Sequence, residues 1–377
     1  MVVRFSFPTQ IVFGEGALAA LPELLDACGG TRVLVVTDRG LVGLPPFAAL
    51  IQRLDEAQIP HALFDGVHPN PKAADVVAGV EAYHVGDADS IISIGGGSAI
   101  DGAKAIQLMT THGGSVIDYD DALGGSDAIT DNLPPHIAIP TTAGTGSEVG
   151  RSTVITDPET NTKKVIFSPF LIPDVALIDP QLMRTLPPPI TAATGMDALA
   201  HNVEAYLALG LHPMCDAIAL EGVRRVARYL ARAVESGDDM EARSEMALAS
   251  MMGAVAFQKG LGVCHSLAHP LSTICGMHHG LANGILLANV VRFNAEVVPD
   301  RVTAIGRAFG VDGVEATLRA IDELAQRVGI PRKLTDVGVS PSQLQALADQ
   351  AIADGCHQSN PRPVSREQIV ALYQALF

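Results

Sequence analysis

Three consecutive prolines, Pro187-Pro188-Pro189, mark a change of character in this chain. A proline run cannot continue a helix and makes a stiff connector. Before it, short apolar runs alternate with helical patterns. Arg32-Val-Leu-Val-Val-Thr-Asp38, His61-Ala-Leu-Phe64, Ser90-Ile-Ile-Ser-Ile94 and His136-Ile-Ala-Ile139 read as strands, and residues 45–57, 72–85 and 98–110 as helices. Continuous apolar strands separated by helices need cover on both faces, the mark of a parallel sheet. After the prolines the strand signals stop. Residues 192–209, 215–236, 241–259 and 315–328 carry helical spacing and are rich in Ala, Leu and Met. The chain therefore reads as an α/β domain over residues 1–184 followed by an all-helical domain over residues 185–377.

Composition narrows the class. With 48% hydrophobic and 18% charged residues, the chain can bury large cores and is not a disordered segment. No 18-residue apolar run is present, which argues against a membrane span. A net charge of −16 opposes phosphate backbones, so a nucleic-acid partner is not expected. The N-terminal residues lack the basic start and apolar core of a secretory leader. The five cysteines are scattered and odd in number, with no Cys-x-x-Cys pair. A reducing, cytoplasmic setting is expected.

Two loops carry ligand-binding chemistry. Gly95-Gly-Gly-Ser98 leaves an apolar strand and opens a helix. Glycine lets backbone N–H groups approach a ligand, and the helix start adds unpaired donors and partial positive charge, a combination that suits a pyrophosphate. The spacing is not Gly-x-Gly-x-x-Gly, and the same loop would serve as a plain strand-to-helix turn. Pro140-Thr-Thr-Ala-Gly-Thr-Gly-Ser-Glu148 also leaves a strand. Its hydroxyls, on Thr141, Thr142, Thr145 and Ser147, suit phosphate and ribose oxygens; Thr145 or Ser147 would equally cap a helix. In open α/β sheets ligands bind beyond the carboxyl ends of the strands, where both loops fall. Asp38, at the end of the first clear strand, is placed to accept from an adenosine ribose or to cap a turn.

Four of the twelve histidines fall between positions 265 and 279. Upstream, Asp197 and His201 are four apart in a helical stretch and so share one face. His265 and His269 repeat that spacing, and Pro270 and Gly276 are expected to break the helix so that His279 folds back. Asp197, His201, His265 and His279 form the expected metal set. Three imidazoles and one carboxylate suit Fe²⁺, Zn²⁺, Co²⁺ or Ni²⁺. His269 and His278 are surplus to four ligands, and one of them is available to relay protons.

Taken together these segments resemble the iron-containing (group III) alcohol dehydrogenase family. The resemblance runs from Phe13-Gly-Glu-Gly16 to Asn360-Pro-Arg362. It is most specific at Gly95-Gly-Gly-Ser-Ala-Ile-Asp101, Pro140–Glu148, Gly195-Met-Asp-Ala-Leu-Ala-His201, His265-Ser-Leu-Ala-His-Pro-Leu271 and His279-Gly280. It implies a dinucleotide-binding α/β domain and a helical metal domain meeting at a cleft, with Fe²⁺ at Asp197, His201, His265 and His279. It implies His269 as the proton relay, and cofactor contacts from Asp38, Asn70, Gly96, Gly97, Ser98, Asp101, Thr141, Thr142, Thr145, Ser147 and Lys163. It also implies NAD rather than NADP, because Asp38 would face a 2′-phosphate with like charge. The reaction implied is hydride transfer between NAD(H) and a primary alcohol or aldehyde, in a homodimer or larger assembly. His278 stands where several relatives have proline and creates a register choice, settled for His279 by the Gly280 that follows. Phe257-Gln-Lys-Gly-Leu-Gly262 and His278-His279 resemble the branch containing 4-hydroxybutyrate dehydrogenases, which implies an ω-hydroxy acid substrate with Lys259 on its carboxylate.

Other enzymes on this architecture remain in view. A lyase resembling dehydroquinate synthase needs many basic residues for a phosphorylated substrate, and the helical half offers mainly Lys259 near the ligands. A metal-independent enzyme resembling maleylacetate reductase has no use for the Asp197 and histidine set. A non-catalytic NAD-binding protein would leave that set idle.

Overall fold

The computed structural model describes residues 5–160 and 162–377. They form two compact units. One comprises Phe7–Thr142 and Gly146–Thr185; the other comprises residues 5–6, Ala143–Thr145 and Leu186–Phe377. The expected single cut at 184/185 thus falls one residue from the main boundary, but Ala143–Thr145 belongs with the helices. The local reason is contact: a Cβ on Gly144 would lie 2.8 Å from the Thr194 side chain.

The first unit is built on β1 (Gln10–Phe13), α1 (Leu21–Ala27), β2 (Val33–Val36), α2 (Pro45–Glu56), β3 (His61–Phe64), α3 (Ala73–Val85), β4 (Ser90–Gly95), α4 (Gly97–Met109), β5 (His136–Pro140), β6 (Ser152–Asp157), β7 (Thr162–Phe167) and β8 (Val175–Ile178). The main sheet is parallel, in the order β1-β8-β5-β4-β2-β3, and β6 and β7 form a separate antiparallel pair. Successive side chains of a strand point to opposite faces. Val33 and Val35 accordingly enter one core with Ile92, Ile94, Ile137 and residues of α1 and α2, while Leu34, Val36 and Ile91 enter a second with residues of α3 and α4. Both faces are dry, which is why these strands carry apolar residues on both faces rather than one, with Ser93 and His136 buried and bonded to each other at 2.8 Å.

The second unit contains α5 (Pro188–Leu207), α6 (Pro213–Glu235), α7 (Met240–Ala256), α8 (Val263–Cys275), α9 (His279–Ala295), α10 (Pro299–Phe309), α11 (Val314–Arg327), α12 (Leu344–Ala353) and α13 (Arg366–Gln374). From Thr191 to Leu207 every residue of α5 is buried, so this helix is the axis of the bundle. One expectation needs correction. Pro270 lies inside α8 and does not end it; Gly276, in the left-handed region at φ 65°, does. An interior proline forfeits one backbone hydrogen bond, at about 3 kcal/mol. Packing of this buried helix against α9 and α12 outweighs that loss. No single helix among the described residues is long and apolar enough to cross a membrane.

Candidate active site

Three of the four expected ligands converge in the helical unit. Ligand atoms of Asp197, His265 and His279 all lie within 4.8 Å of one another, and Asp197 Oδ1 stands 3.7 Å from His279 Nε2. Asp197 is supplied by α5, His265 by the first turn of α8, and His279 is the first residue of α9. His278 is exposed, so the register choice falls on His279. His201 lies against this trio rather than within it. One turn beyond Asp197 on α5, its ring stacks on that of His265 at 4.7 Å between centroids.

A metal needs imidazoles with a free nitrogen lone pair, and each ring's other nitrogen decides which one that is. His201 Nδ1 is 3.3 Å from the Gly144 carbonyl, and His265 Nδ1 is 2.6 Å from Glu204 Oε2. With those nitrogens donating, Nε2 of each ring carries the lone pair that a metal would need. Burial, assisted by the nearby His265, holds the His201 pKa down to about 4 even though Asp197 pulls it up, so this ring is neutral at physiological pH. Burial pushes His265 the same way, but Glu204 and Asp197 outweigh it and its pKa is raised. Asn283, one turn after His279, donates through Nδ2 at 2.7 Å to Asp197 Oδ1, the same oxygen that faces His279 Nε2. Two imidazoles and a carboxylate without thiolate, with His201 stacked alongside and the His201 and His265 rings oriented by second partners, fit a divalent transition metal.

His269 is one turn past His265 and stacks on His279 at 5.3 Å. Its Nδ1 is 2.7 Å from Asp354 Oδ2, while Asp354 Oδ1 accepts from Ser266 Oγ and the Cys356 N–H at 2.8 Å each. Burial alone would raise the Asp354 carboxyl, but His269 and these donors hold it well below the usual carboxylate range. It is a fixed anion behind the imidazole. Lys259 is not brought to the metal set. Its Nζ, on a side chain 2% exposed, bonds Asp216 Oδ1 at 2.5 Å and the Tyr206 carbonyl at 3.0 Å. In the structure the ammonium is thus already paired with a carboxylate of the protein.

In the α/β unit the cofactor residues divide into two groups. Asp38, Gly95–Gly97, Thr141 and Thr142 gather beyond the carboxyl ends of the neighbouring strands β2, β4 and β5. Gly95 has φ 148°, and a Cβ there would stand 2.7 Å from Ala99 Cβ and 3.6 Å from Asp38 Oδ2. The Thr141 N–H donates to the Gly95 carbonyl at 2.9 Å, and the Thr142 side chain lies 3.5 Å from the Cβ position of Gly96. Asp38 Oδ1 accepts from the Leu41 N–H at 3.2 Å, the turn-capping role, which leaves Oδ2 beside the glycines. The second group looks inward. Ser98 Oγ donates to the Pro69 carbonyl at 2.5 Å, next to Asn70. Asp101 accepts from Ser147 Oγ at 2.5 Å and from the Val154 N–H at 3.1 Å. These internal bonds hold the loop in place. Lys163, on β7 opposite Thr156, is close enough for its charge to act on Asp101, and the Thr156 N–H donates to the carbonyl of Pro71, next to Asn70. Thr145 lies in the short segment assigned to the helical unit.

Sequence reasoning missed Lys104. Fully buried in α4, its ammonium bonds the carbonyls of Ser147, Gly150 and Ser152 at 2.7–3.0 Å and so ties down the end of the second loop and the turn that follows it. Burial lowers its pKa to about 8, opposed by Asp101 and Glu148.

Comparison with known proteins agrees with this architecture. Residues 8–180 match the iron-containing alcohol dehydrogenase family, and residues 191–377 match the C-terminal region of the Fe-containing alcohol dehydrogenase family. The chain is 39% identical to a 1,3-propanediol dehydrogenase of Klebsiella pneumoniae, covering 98% of this chain and 97% of that one. It is 38% identical to a 4-hydroxybutyrate dehydrogenase of Cupriavidus necator, covering 95% of each. Among solved structures, a 1,3-propanediol oxidoreductase superposes with a TM-score of 0.95 at 38% identity, covering all of both chains. A sulfoacetaldehyde reductase of Bifidobacterium kashiwanohense, solved with NAD⁺, gives 0.90 at 31% identity, covering 100% of this chain and 99% of that one.

Proposed function

Because this chain belongs to the iron-containing alcohol dehydrogenase family, we propose that it is an NAD-dependent enzyme interconverting short primary alcohols or diols and their aldehydes, with Fe²⁺ as its metal. The family assignment sets aside the dehydroquinate synthase-like and maleylacetate reductase-like readings. The observation that carries the metal reading is the convergence of Asp197, His265 and His279 to within 4.8 Å in a buried pocket of helices. His201 completes the ligand set through Nε2.

A divalent ion so held supplies Lewis acidity toward the alcohol or carbonyl oxygen, and NAD supplies the hydride chemistry. The chain does the rest. Asp197, with Asn283 on one oxygen, balances part of the ion's charge. Leu267, Ala268 and Leu271 on α8 keep that helix's interior dry, which strengthens every electrostatic contact at its buried end. His269, with Nδ1 tied to Asp354, offers Nε2 as the atom that takes the alcohol proton and returns it in the reverse direction. In the α/β unit, the Gly95–Gly97 backbone and the start of α4 receive the pyrophosphate, while Asp38 accepts from the adenosine ribose and repels a 2′-phosphate.

Small diols are favoured over ω-hydroxy acids because Lys259 is already paired with Asp216. We assign the enzyme to the cytoplasm, since all five cysteines are free. We also assign it to a dimer or larger assembly. The outer edge of β1 ends the sheet with Ile11 and Phe13 exposed, an edge of the kind proteins cover. The test is elemental analysis of purified protein, followed by NADH and NADPH assays with butanol, 1,3-propanediol and 4-hydroxybutyrate. His265→Ala should lose the metal and reduce kcat by orders of magnitude. Full turnover in that variant without bound metal refutes the reading.

A further inference from the structure

Glu204 lies on α5, seven residues after Asp197 and three after His201, so it projects from the same helix face. Its side chain and that of His265 are each 2% exposed. The first N–H groups of a helix have no partner inside it. At the start of α8, the N–H groups of Cys264 and His265 donate to Glu204 Oε1 and Oε2, at 2.6 and 3.3 Å. The same Oε2 accepts from His265 Nδ1 at 2.6 Å. One carboxylate therefore caps the helix that carries His265 and grips the ring itself. The approach depends on Gly262, because a Cβ there would sit 2.6 Å from Glu204 Oε1.

We infer that Glu204 is the positioning residue that fixes His265 in its ligand tautomer and thereby sets how tightly this chain holds its metal. The inference rests on the metal reading above. A carboxylate has no proton to give at this site, so the Nδ1 of His265 must be the donor, and the lone pair is left on Nε2, the nitrogen beside Asn283 and Asp197. A glutamine of the same shape reverses this. Its single oxygen, kept by the Cys264 N–H, leaves an NH₂ facing His265 Nδ1 and the His265 backbone N–H, which loses its acceptor. The ring can then satisfy that NH₂ only by accepting at Nδ1, which moves its proton to Nε2 and blocks the metal. Loss of a second partner of this kind typically weakens metal binding about 10- to 100-fold.

The experiment is a zinc-affinity measurement by competition with a chromophoric chelator on the full chain, its Glu204→Gln variant and its His265→Ala variant, with NADH binding as the check on folding. Support is a Glu204→Gln variant that binds NADH as the parent does but holds zinc about 10- to 100-fold more weakly. If Glu204→Gln matches the parent within about twofold while His265→Ala loses zinc, the role given to Glu204 is wrong and the metal reading stands. If the parent and His265→Ala bind zinc alike, the metal reading itself fails and takes this inference with it. Should Glu204→Gln not fold, nitrogen chemical shifts of the histidine-labelled, zinc-loaded parent decide the matter. A protonated Nδ1 on His265 supports the assignment, and a protonated Nε2 overturns it.

Discussion

Glu148 ends the second ligand loop and is 3% exposed. Burial drives its pKa up to about 7, and its own backbone N–H and the Lys104 charge offset only part of that rise. A carboxyl with a folded pKa above its unfolded value binds more protons folded than unfolded between the two. Its stabilising contribution is complete below the unfolded value and is lost as pH rises through the folded one. The shift is 7 − 4.5, or about 2.5 pH units. At about 1.4 kcal/mol per unit, complete titration costs about 3 kcal/mol, of which about 2 kcal/mol is lost between about pH 5 and about pH 7.5. That upper limit keeps Lys104, at about 8, mostly charged. Glu148→Gln stays neutral throughout. Relative to the parent, the variant should therefore gain about 2 kcal/mol over that interval. The chain has no tryptophan, so urea unfolding is best followed by far-UV circular dichroism, taking the transition of the α/β unit. Parallel profiles for parent and variant would refute the reasoning.

Two further changes probe the metal unit. Gly280→Ala would place a Cβ 2.3 Å from the Ala193 carbonyl and 3.0 Å from Asp197 Cβ, so α9 must back away from α5 and carry His279 with it. A loss of about 1–3 kcal/mol in stability should appear in the melting temperature, accompanied by weaker metal binding; parental affinity would contradict the stated packing. Asp354→Asn keeps an oxygen for Ser266 and Cys356 but turns an NH₂ toward His269 Nδ1. The relay role predicts a fall in kcat of about 10²-fold or more with the KM for NAD unchanged, and a parental kcat across the pH range would remove His269 from the mechanism.

What the sequence displays depends on how locally each residue's task is written. The runs at β2, β4 and β5 are apolar on both faces, apart from Ser90, Ser93 and His136, because both sides are buried. The edge strand β1 is mostly exposed, and β8 is only four residues long between Asp174 and Asp179. Neither stands out from its surroundings. Asp197, His201, His265 and His279 are legible because they are polar residues in apolar helical segments at one-turn spacings. Glu204 follows the same rule at the next turn of α5, yet alone it looks like any surface glutamate. Its partner is 61 positions away. The carbonyl of Gly144, which sets the His201 tautomer, has no side-chain signature at all. Lys104 reads as a surface lysine of α4 until the loop at 147–152 folds over it. The pairing of Lys259 is hidden for the same reason, since Asp216 lies 43 residues upstream.

The small residues of the helical unit follow from the same geometry. Ligands drawn from three helices must meet within a few ångströms, so the helices approach more closely than large side chains allow. A Cβ on Gly253 would lie 2.9 Å from His201 Cβ, one on Gly222 would lie 1.9 Å from Asn202 Oδ1, and one on Gly195 would lie 2.1 Å from Leu230. Each glycine thus admits a neighbour that sets the position of α5. Asn202, next to His201, then bonds the carbonyls of Ala198 and Ala249 and ties α5 to α7. Glycine inside a helix costs about 1 kcal/mol relative to alanine. Here that cost is offset by the close packing of α5 against its neighbours, which lets Asn202 Nδ2 reach the Ala249 carbonyl. The bundle is rich in small residues because its core is organised around imidazoles and carboxylates, and every one of those groups needs a second contact to hold it still.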